Sequence, residues 1–130
     1  MALEAREFGI ALQKAGKDLT AVQFRNLVRK VALDALRGIV LKTPVDTGRA
    51  RGNWQVTIGQ PAAGKIDYAD KGGGPTISKG TGEILAAPPI GKIWLTNNLP
   101  YAERLEHGWS QQAPAGMVQL TLVEIQSRLA

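Results

Sequence analysis

The stretch that decides the fold is TPVDTGRARGNW, residues 43–54, because a helical pattern ends where it begins and a strand pattern starts where it ends. Pro44 disfavours helical backbone at the residue before it, so it ends the preceding helix. Asp46 can accept hydrogen bonds from the N–H groups that follow it, and Gly48 can adopt a positive φ. Trp54 is expected to anchor the new strand in the core. The stretch therefore predicts a corner between a helix and a strand.

Two helices are predicted before this corner. Apolar residues recur at three- and four-residue spacing from residue 2 to about Gly16, which predicts a first helix that ends at that glycine. Asp18 or Thr20 can cap a second, longer helix that runs to the corner. Gly38 inside it costs about 1 kcal/mol relative to alanine, which indicates a close packing contact. Its predicted buried face consists of Phe24, Leu27, Val28, Val31, Ala35, Leu36 and Ile39.

Two strands and two further helices are predicted after the corner. Apolar and polar residues alternate over residues 53–58, which is typical of a half-buried strand, and residues 92–96 predict a second strand. A short helix is expected over about residues 101–107, and a closing helix from about residue 113 to residue 129. The sequence therefore predicts a single α+β domain over residues 1–130, in which the N-terminal helix and the long second helix pack on a small antiparallel sheet.

A long glycine-rich segment separates the two predicted strands. Residues 59–91 hold 8 of the 15 glycines and few apolar residues. Segments of this composition are commonly irregular, so we expect a flexible loop over about residues 60–90. Short strands at residues 65–68 and 84–86 would make the segment a hairpin with its tip at residues 71–82.

Composition and motifs argue against catalysis. The chain has no cysteine, which excludes a disulfide framework and thiolate metal sites, and its first residues lack the continuous apolar run of a signal peptide or membrane span. The stretch GQPAAGKI, residues 59–66, matches a phosphate-binding loop except at Ile66, which lacks the hydroxyl that holds magnesium. His107 is the only histidine, and it leaves too few ligands for a closed metal site. We therefore expect no catalytic residue, no metal and no cofactor.

Positive charge is concentrated in the long helix and the corner. The net charge is +5, and residues 20–51 contain seven basic and two acidic residues, so 7 minus 2 accounts for the whole excess. The seven are Arg25, Arg29, Lys30, Arg37, Lys42, Arg49 and Arg51. They can form a solvated face, or a surface that meets nucleic acid or an acidic partner. The sequence contains no recognisable groove-reading motif, so base-specific recognition is not indicated.

A second chain reversal is predicted in IWLTNNLPYAERLEHG, residues 93–108. Its adjacent asparagines and its proline favour a turn, Tyr101 and Leu105 are expected to pack inward, and Gly108 is expected to end the short helix. The predicted turn anchors of the two stretches are Pro44, Asp46, Gly48, Trp54, Asn97, Pro100, Tyr101 and Gly108.

Together the two stretches resemble the neck and tail-component family of siphophages that is typified by gene product ten of phage HK-ninety-seven. Its members have a helical N-terminal half, a TPVDTG turn into a strand and a later N-LPYA-LE-G segment, in the order found in this chain. The resemblance implies a non-enzymatic virion protein that joins head and tail or completes the tail. It would be found in the neck or tail of the virion, and in the host cytoplasm during assembly.

The resemblance also implies partners. They are further copies of the chain in a ring, expected to be a hexamer, a head connector or head-completion protein on one side, and the tail tube or tail terminator protein on the other. DNA would pass through the lumen without sequence specificity. The residues expected to face DNA or a partner ring are Arg25, Arg29, Arg37, Arg49 and Arg51. The flexible loop would order on docking, through Lys71, Gly73, Lys79 and Gly82. The alternative is a small basic DNA-binding protein of a prophage or a bacterial host, and neither hypothesis involves a membrane.

Overall fold

The computed structural model describes residues 2–88, 91–107 and 116–129. Within these ranges the chain forms six helices and one two-stranded antiparallel sheet. In chain order the elements are α1 (Ala2–Gly16), α2 (Ala21–Lys42), α3 (Arg49–Gly52), β1 (Gln55–Ile58), α4 (Gly74–Leu85), β2 (Ile93–Thr96), α5 (Ala102–Glu106) and α6 (Met117–Leu129). The α+β class that the sequence predicts is confirmed.

The first two helices begin and end where the sequence predicts. Thr20, rather than Asp18, caps α2: its Oγ1 accepts from Gln23 N at 3.1 Å, and Gln23 Oε1 accepts from Thr20 N at 3.0 Å. This reciprocal pair satisfies two of the N–H groups that a helix start leaves free. At the other end Thr43 has extended backbone, as the following proline requires.

The core forms around α2. Helix α6 packs between α1 and α2, and α4 packs between α2 and β1. The sheet therefore reaches the long helix mainly through α4. The buried side chains of this core are Val31, Ala32, Ala35, Leu36, Ile39, Val40, Trp54, Ile84, Met117 and Ile125.

Gly38 lies where α2 contacts α6, and the close contact predicted there is confirmed: a Cβ at this position would lie 2.7 Å from Thr121 Cγ2. We expect Gly38→Ala to lower the free energy of unfolding by about 1 kcal/mol, because overpacking strain of about 2 kcal/mol exceeds the gain of about 1 kcal/mol in helix propensity. In a Thr121→Ala background, which removes the obstructing atoms, the same substitution should be neutral or stabilising. Urea denaturation of the four proteins measures this, and equal losses in both backgrounds would contradict it.

The two strands pair with Val56 opposite Leu95 and Ile58 opposite Ile93. Val56, Ile93 and Leu95 pack against the core, so the face that carries them is the inner face of the sheet. The opposite, outer face carries Thr57, whose strand partner is Trp94. Helix α3, which precedes β1, was not predicted.

The predicted glycine-rich hairpin is wrong in its second half. Residues 74–85 form helix α4, residues 84–86 are therefore not a strand, and residues 65–68 belong to neither a strand nor a helix. Pro75 lies in the first turn of α4, where its missing N–H is tolerated. Gly80 lets this helix approach α2, since a Cβ there would lie 2.5 Å from Leu36 Cδ2. At this position of the predicted loop, glycine therefore permits the close packing of two helices.

The C-terminal helices follow the prediction with one shift. Helix α5 lies within the predicted range, and α6 begins at Met117, directly after Gly116, whose φ is +86°. Glu106 at the end of α5 caps α6, since its two carboxylate oxygens accept from Val118 N at 2.8 Å and Gln119 N at 3.0 Å. Gly108, predicted to end the short helix, lies outside the described residues.

Tyr101 does not pack inward as predicted, since 36% of it is exposed. Leu99, two residues earlier, is buried instead, and Leu105 packs against the core as expected. The second stretch is thus anchored by leucines on either side of Pro100, which is itself exposed.

Candidate functional site

The corner is held by a buried hydrogen-bond chain. Trp54 Nε1 donates to Thr43 Oγ1 at 2.8 Å, and Thr43 Oγ1 donates to Ile39 O at 2.7 Å. Thr43 is fully buried and Trp54 is 9% exposed, so the predicted role of this tryptophan as a core anchor is confirmed. Pro44 is buried beside them. Because a buried polar group needs a partner, the indole fixes the direction in which the chain leaves α2.

Arg51 binds three carbonyl oxygens around the end of α2. Its Nη2 donates to Leu41 O at 2.8 Å, its Nε to Thr43 O at 2.9 Å and its Nη1 to Lys71 O at 2.8 Å. Carbonyl groups at a helix C-terminus lack intrahelical partners and carry partial negative charge, so a guanidinium there is favourable. Arg51, which the sequence suggested as a contact for DNA or a partner ring, is thus a part of the corner itself.

Asp70 is buried beneath the corner and caps α4. Its carboxylate accepts from Gly73 N at 2.8 Å, from Thr76 N at 2.9 Å and from Thr76 Oγ1 at 2.6 Å. Burial alone would raise the pKa of Asp70. The hydrogen bonds from Thr76 and Gly73, together with the charge of Arg51, outweigh burial and hold this pKa below its ordinary value.

Asn53 connects the corner to the irregular segment that follows β1. Its Nδ2 donates to Arg49 O at 2.8 Å and to Ile66 O at 2.9 Å, and its Oδ1 accepts from Ile66 N at 2.7 Å. Asn97 then connects the second stretch to the first, since its Nδ2 donates to Ala50 O at 2.9 Å. We call the joined set the corner hub: Thr43, Gly48, Arg51, Asn53, Trp54, Asp70 and Asn97.

Two anchors of the first stretch differ in outcome. Gly48 has φ +90°, which confirms the positive φ predicted for it. Asp46 is exposed, and among the described residues it is Thr47 Oγ1, not Asp46, that accepts the forward hydrogen bond of this turn, from Arg49 N at 3.2 Å. The prediction that Asp46 accepts this hydrogen bond is therefore wrong.

Several of the basic residues are bound within the chain. Arg29 Nη2 donates to Ala87 O at 3.1 Å, and ion pairs join Lys30 to Asp34 at 3.2 Å and Lys42 to Glu124 at 3.0 Å. Arg25 is half-buried, and its Nε is buried without a hydrogen-bond partner in the described part of the chain. Arg37 and Arg49 are the exposed members of the predicted contact set.

The four residues predicted to form one docking loop lie in two places. Lys71 lies before α4 and is exposed. Gly73, the N-cap of α4, is buried, and a Cβ at this position would lie 2.9 Å from Val40 Cγ1. Lys79 and Gly82 are exposed on the helix itself. Lys79 and Gly82 therefore belong to the surface of a helix and not to the tip of a flexible loop.

A groove of about 760 Å³ follows β1 on the side away from β2. We call it the edge groove. Helix α4 forms one wall, through Pro75, Thr76, Lys79, Gly80 and Glu83, and Ile66 and Tyr68 form the other. Tyr68 is 44% exposed, so the groove has an aromatic rim.

Sequence reasoning missed Asp70, Asn53 and this groove. Pro75 with a threonine after it could have indicated a helix start, and an aspartate shortly before such a start is a candidate cap. The partner of Asn53 lies 13 residues away, and the groove depends on tertiary packing, so no local signal marks either.

The described residues contain no cluster of three or more histidine, aspartate or glutamate side chains suited to a metal ion. None of their helices has the length and apolar character needed to cross a bilayer. The phosphate-loop-like stretch is followed by irregular chain up to Gly74, so no helix begins directly after it, as a phosphate-binding loop would require. No family model, no curated protein and no solved structure matches this chain.

Proposed function

We propose that this chain is a subunit of a homo-oligomeric ring that joins head and tail, or completes the tail, of a long-tailed phage. The observation that supports the proposal most directly is the corner hub. Asn97 of the second family-like stretch binds Ala50 O of the first, so the two stretches that carry the resemblance form one structural unit. A resemblance confined to two unrelated surface segments would carry less weight than one that defines how the domain is built.

The surface supports binding rather than chemistry. The large apolar residues that stay exposed within the described ranges are Ile10, Leu19, Val22, Leu41, Tyr68, Leu85, Trp94, Tyr101, Leu120 and Val123. Single exposed apolar residues are normal on a monomer. Here they include Trp94 on the sheet and Tyr68 at the rim of the groove, which offer apolar surface to a neighbouring subunit.

In the proposed ring, a head connector or head-completion protein binds one side and the tail tube or tail terminator binds the other. DNA passes through the lumen without base-specific contacts. Of the five arginines predicted to meet DNA or a partner ring, Arg37 and Arg49 are the ones best suited to contact phosphates or an acidic neighbouring ring, because they are exposed.

Sedimentation velocity over a wide range of protein concentration tests the ring. We expect one closed species at high concentration, with the mass of a hexamer. The Arg37→Ala/Arg49→Ala variant should form the same species as the wild-type protein. A monomer at every concentration, together with joined infectious particles from a phage that lacks the gene, would contradict the proposal.

DNA-binding measurements on the wild-type protein and the double variant test the alternative, a small DNA-binding protein. A monomer or dimer that binds DNA, with log affinity falling steeply against log salt, would favour that alternative, since each neutralised phosphate releases counterions. Loss of this binding in the double variant would then assign it to the two arginines.

A further inference from the structure

The outer edge of β1 has free backbone groups. Gly59 N donates to Lys92 O at 2.7 Å, which makes these two residues a hydrogen-bonded pair of the antiparallel ladder. Hydrogen-bonded pairs recur at every second residue, so Thr57 also bonds to β2. The N–H and C=O groups of Val56 and Ile58 therefore point away from β2, and no backbone or side-chain group in the described part of the chain pairs with them.

The outer edge of β2 is free in the same way. By the same alternation the backbone groups of Ile93 and Leu95 point away from β1, and no partner for them exists among residues 2–88, 91–107 and 116–129. Trp94 between them lies on the outer face of the sheet and is 37% exposed. The sheet thus ends in two different edges, each formed by a strand of four residues.

The edge groove follows the free edge of β1. Val56 and Ile58 line it, no residue of β2 does, and its volume of about 760 Å³ lies between α4 and the irregular segment that carries Ile66 and Tyr68. An extended strand placed there would have one side against the helix and the other against the aromatic rim. This is the geometry of strand addition, in which main-chain hydrogen bonds give affinity and flanking pockets give specificity.

We propose that, in the ring assigned above as the function, β2 of one copy pairs with β1 of the next copy along the edge groove. Two different edges on one chain generate a head-to-tail contact, which forms a ring when the rotation between neighbouring copies closes, whereas pairing β1 with β1 would stop at a dimer. A rotation about the ring axis leaves the direction of each strand along that axis unchanged, so β1 of the next copy runs in the same direction as β1 of the first and opposite to β2 of the first. The new pairing is therefore antiparallel, as it is within the subunit.

The side chains fit this pairing. The residues with free backbone groups are Val56 and Ile58 on β1 and Ile93 and Leu95 on β2, and all four side chains lie on the inner face. When these residues pair across copies, the apolar faces of the two sheets stay on the same side. Trp94 of the neighbouring copy then lies on the outer face, the side of the groove formed by Tyr68. A two-stranded sheet, which is marginal alone, becomes part of a larger one.

Cysteine cross-linking tests the pairing, because the chain has no cysteine of its own. A copy with Thr57→Cys on β1 and a copy with Thr96→Cys or Trp94→Cys on β2 are mixed and mildly oxidised. We expect a disulfide-linked pair between the two kinds of copy, well above the linked product of either copy alone. Ser78→Cys, exposed on α4 outside the groove, is the control and should link to neither β2 variant.

A groove-filling variant gives an independent measurement. Lys79→Trp places a large side chain in the wall of the groove, and Ser78→Trp places it one residue earlier, outside the groove. Both positions are exposed, so circular dichroism should show the same helix content in both. We expect Lys79→Trp to weaken ring formation at least tenfold and Ser78→Trp to leave it unchanged.

The outcomes separate the two proposals. Rings that form in wild-type and Lys79→Trp protein alike, without β1-to-β2 cross-links, would overturn the edge pairing and leave the ring function standing. Cross-links of β1 to β1 would overturn it as well. A wild-type protein that stays monomeric would overturn both.

Discussion

Gly48→Ala is expected to remove about 3 kcal/mol or more of stability, a large part of the 5–15 kcal/mol typical of a native domain. Two costs add. A residue with a Cβ is strained by about 1–2 kcal/mol at a left-handed φ, and φ is +90° at this position. The Cβ would also lie 2.6 Å from Lys71 N and 2.8 Å from Asp70 C, which are backbone atoms that cannot rotate away.

Gly59→Ala is the matched control for this substitution. Gly59 has the same φ of +90°, but a Cβ there would meet nothing within 4 Å. It should therefore lose only the conformational part, about 1–2 kcal/mol. Urea unfolding of both variants, followed by circular dichroism, measures the difference, and equal losses would show that the contact with residues 70 and 71 has no cost.

Asp70→Ala is expected to lower the free energy of unfolding by about 3 kcal/mol, because it leaves Thr76 N, Thr76 Oγ1 and Gly73 N without their buried acceptor. It also leaves Arg51 without the carboxylate that faces it. Asp70→Asn keeps one acceptor oxygen and should lose less. The helix most affected should be α4. In a hydrogen-exchange measurement, the substitution should therefore raise the exchange rates of the amide protons of α4 more than those of α1.

The same carboxylate predicts a dependence on pH. The pKa of Asp70 in the folded protein lies below its ordinary value of 3.8. The folded state therefore favours the charged form, and this contribution to stability is fully present above pH 3.8 and is lost as pH falls through the folded-state pKa. Wild-type protein should lose more stability than Asp70→Asn over this range. Asp46→Asn, which removes an exposed carboxylate, is the control and should follow wild type. Parallel curves for wild type and Asp70→Asn would contradict the assignment.

The sequence predicts those elements whose signals are local. Thr20 and Pro44 act on neighbouring backbone, so the bounds of α2 follow from the residues at its two ends. The first strand follows from the alternation of apolar and polar residues, and the second from the short apolar run at residues 93–95. Helix α4 was missed because its glycines were counted as loop formers, although Gly80 serves contact with Leu36, and because Asp70, which accepts hydrogen bonds at its start, precedes it by several residues and was not considered as a cap.

The candidate site was predictable in position but not in mechanism. The two stretches were correctly expected to be corners, since proline, glycine and asparagine have local conformational effects. The roles of Arg51 and Asn53 depend on the carbonyl groups of Lys71 and Ile66, which approach only when the chain has folded. The sequence therefore shows that a basic residue lies near the helix end, but it does not show which groups that residue will bind.

The position of α6 has a consequence for synthesis. This helix packs between α1 and α2, yet it follows every other described element in the chain. On a ribosome, the first two helices emerge before the segment that holds them together, so they remain without their shared neighbour until α6 has been synthesised. A chain that stops before Met117 lacks the contacts between α1 and α6. We therefore expect α1 to reach its native packing only after α6 has been made.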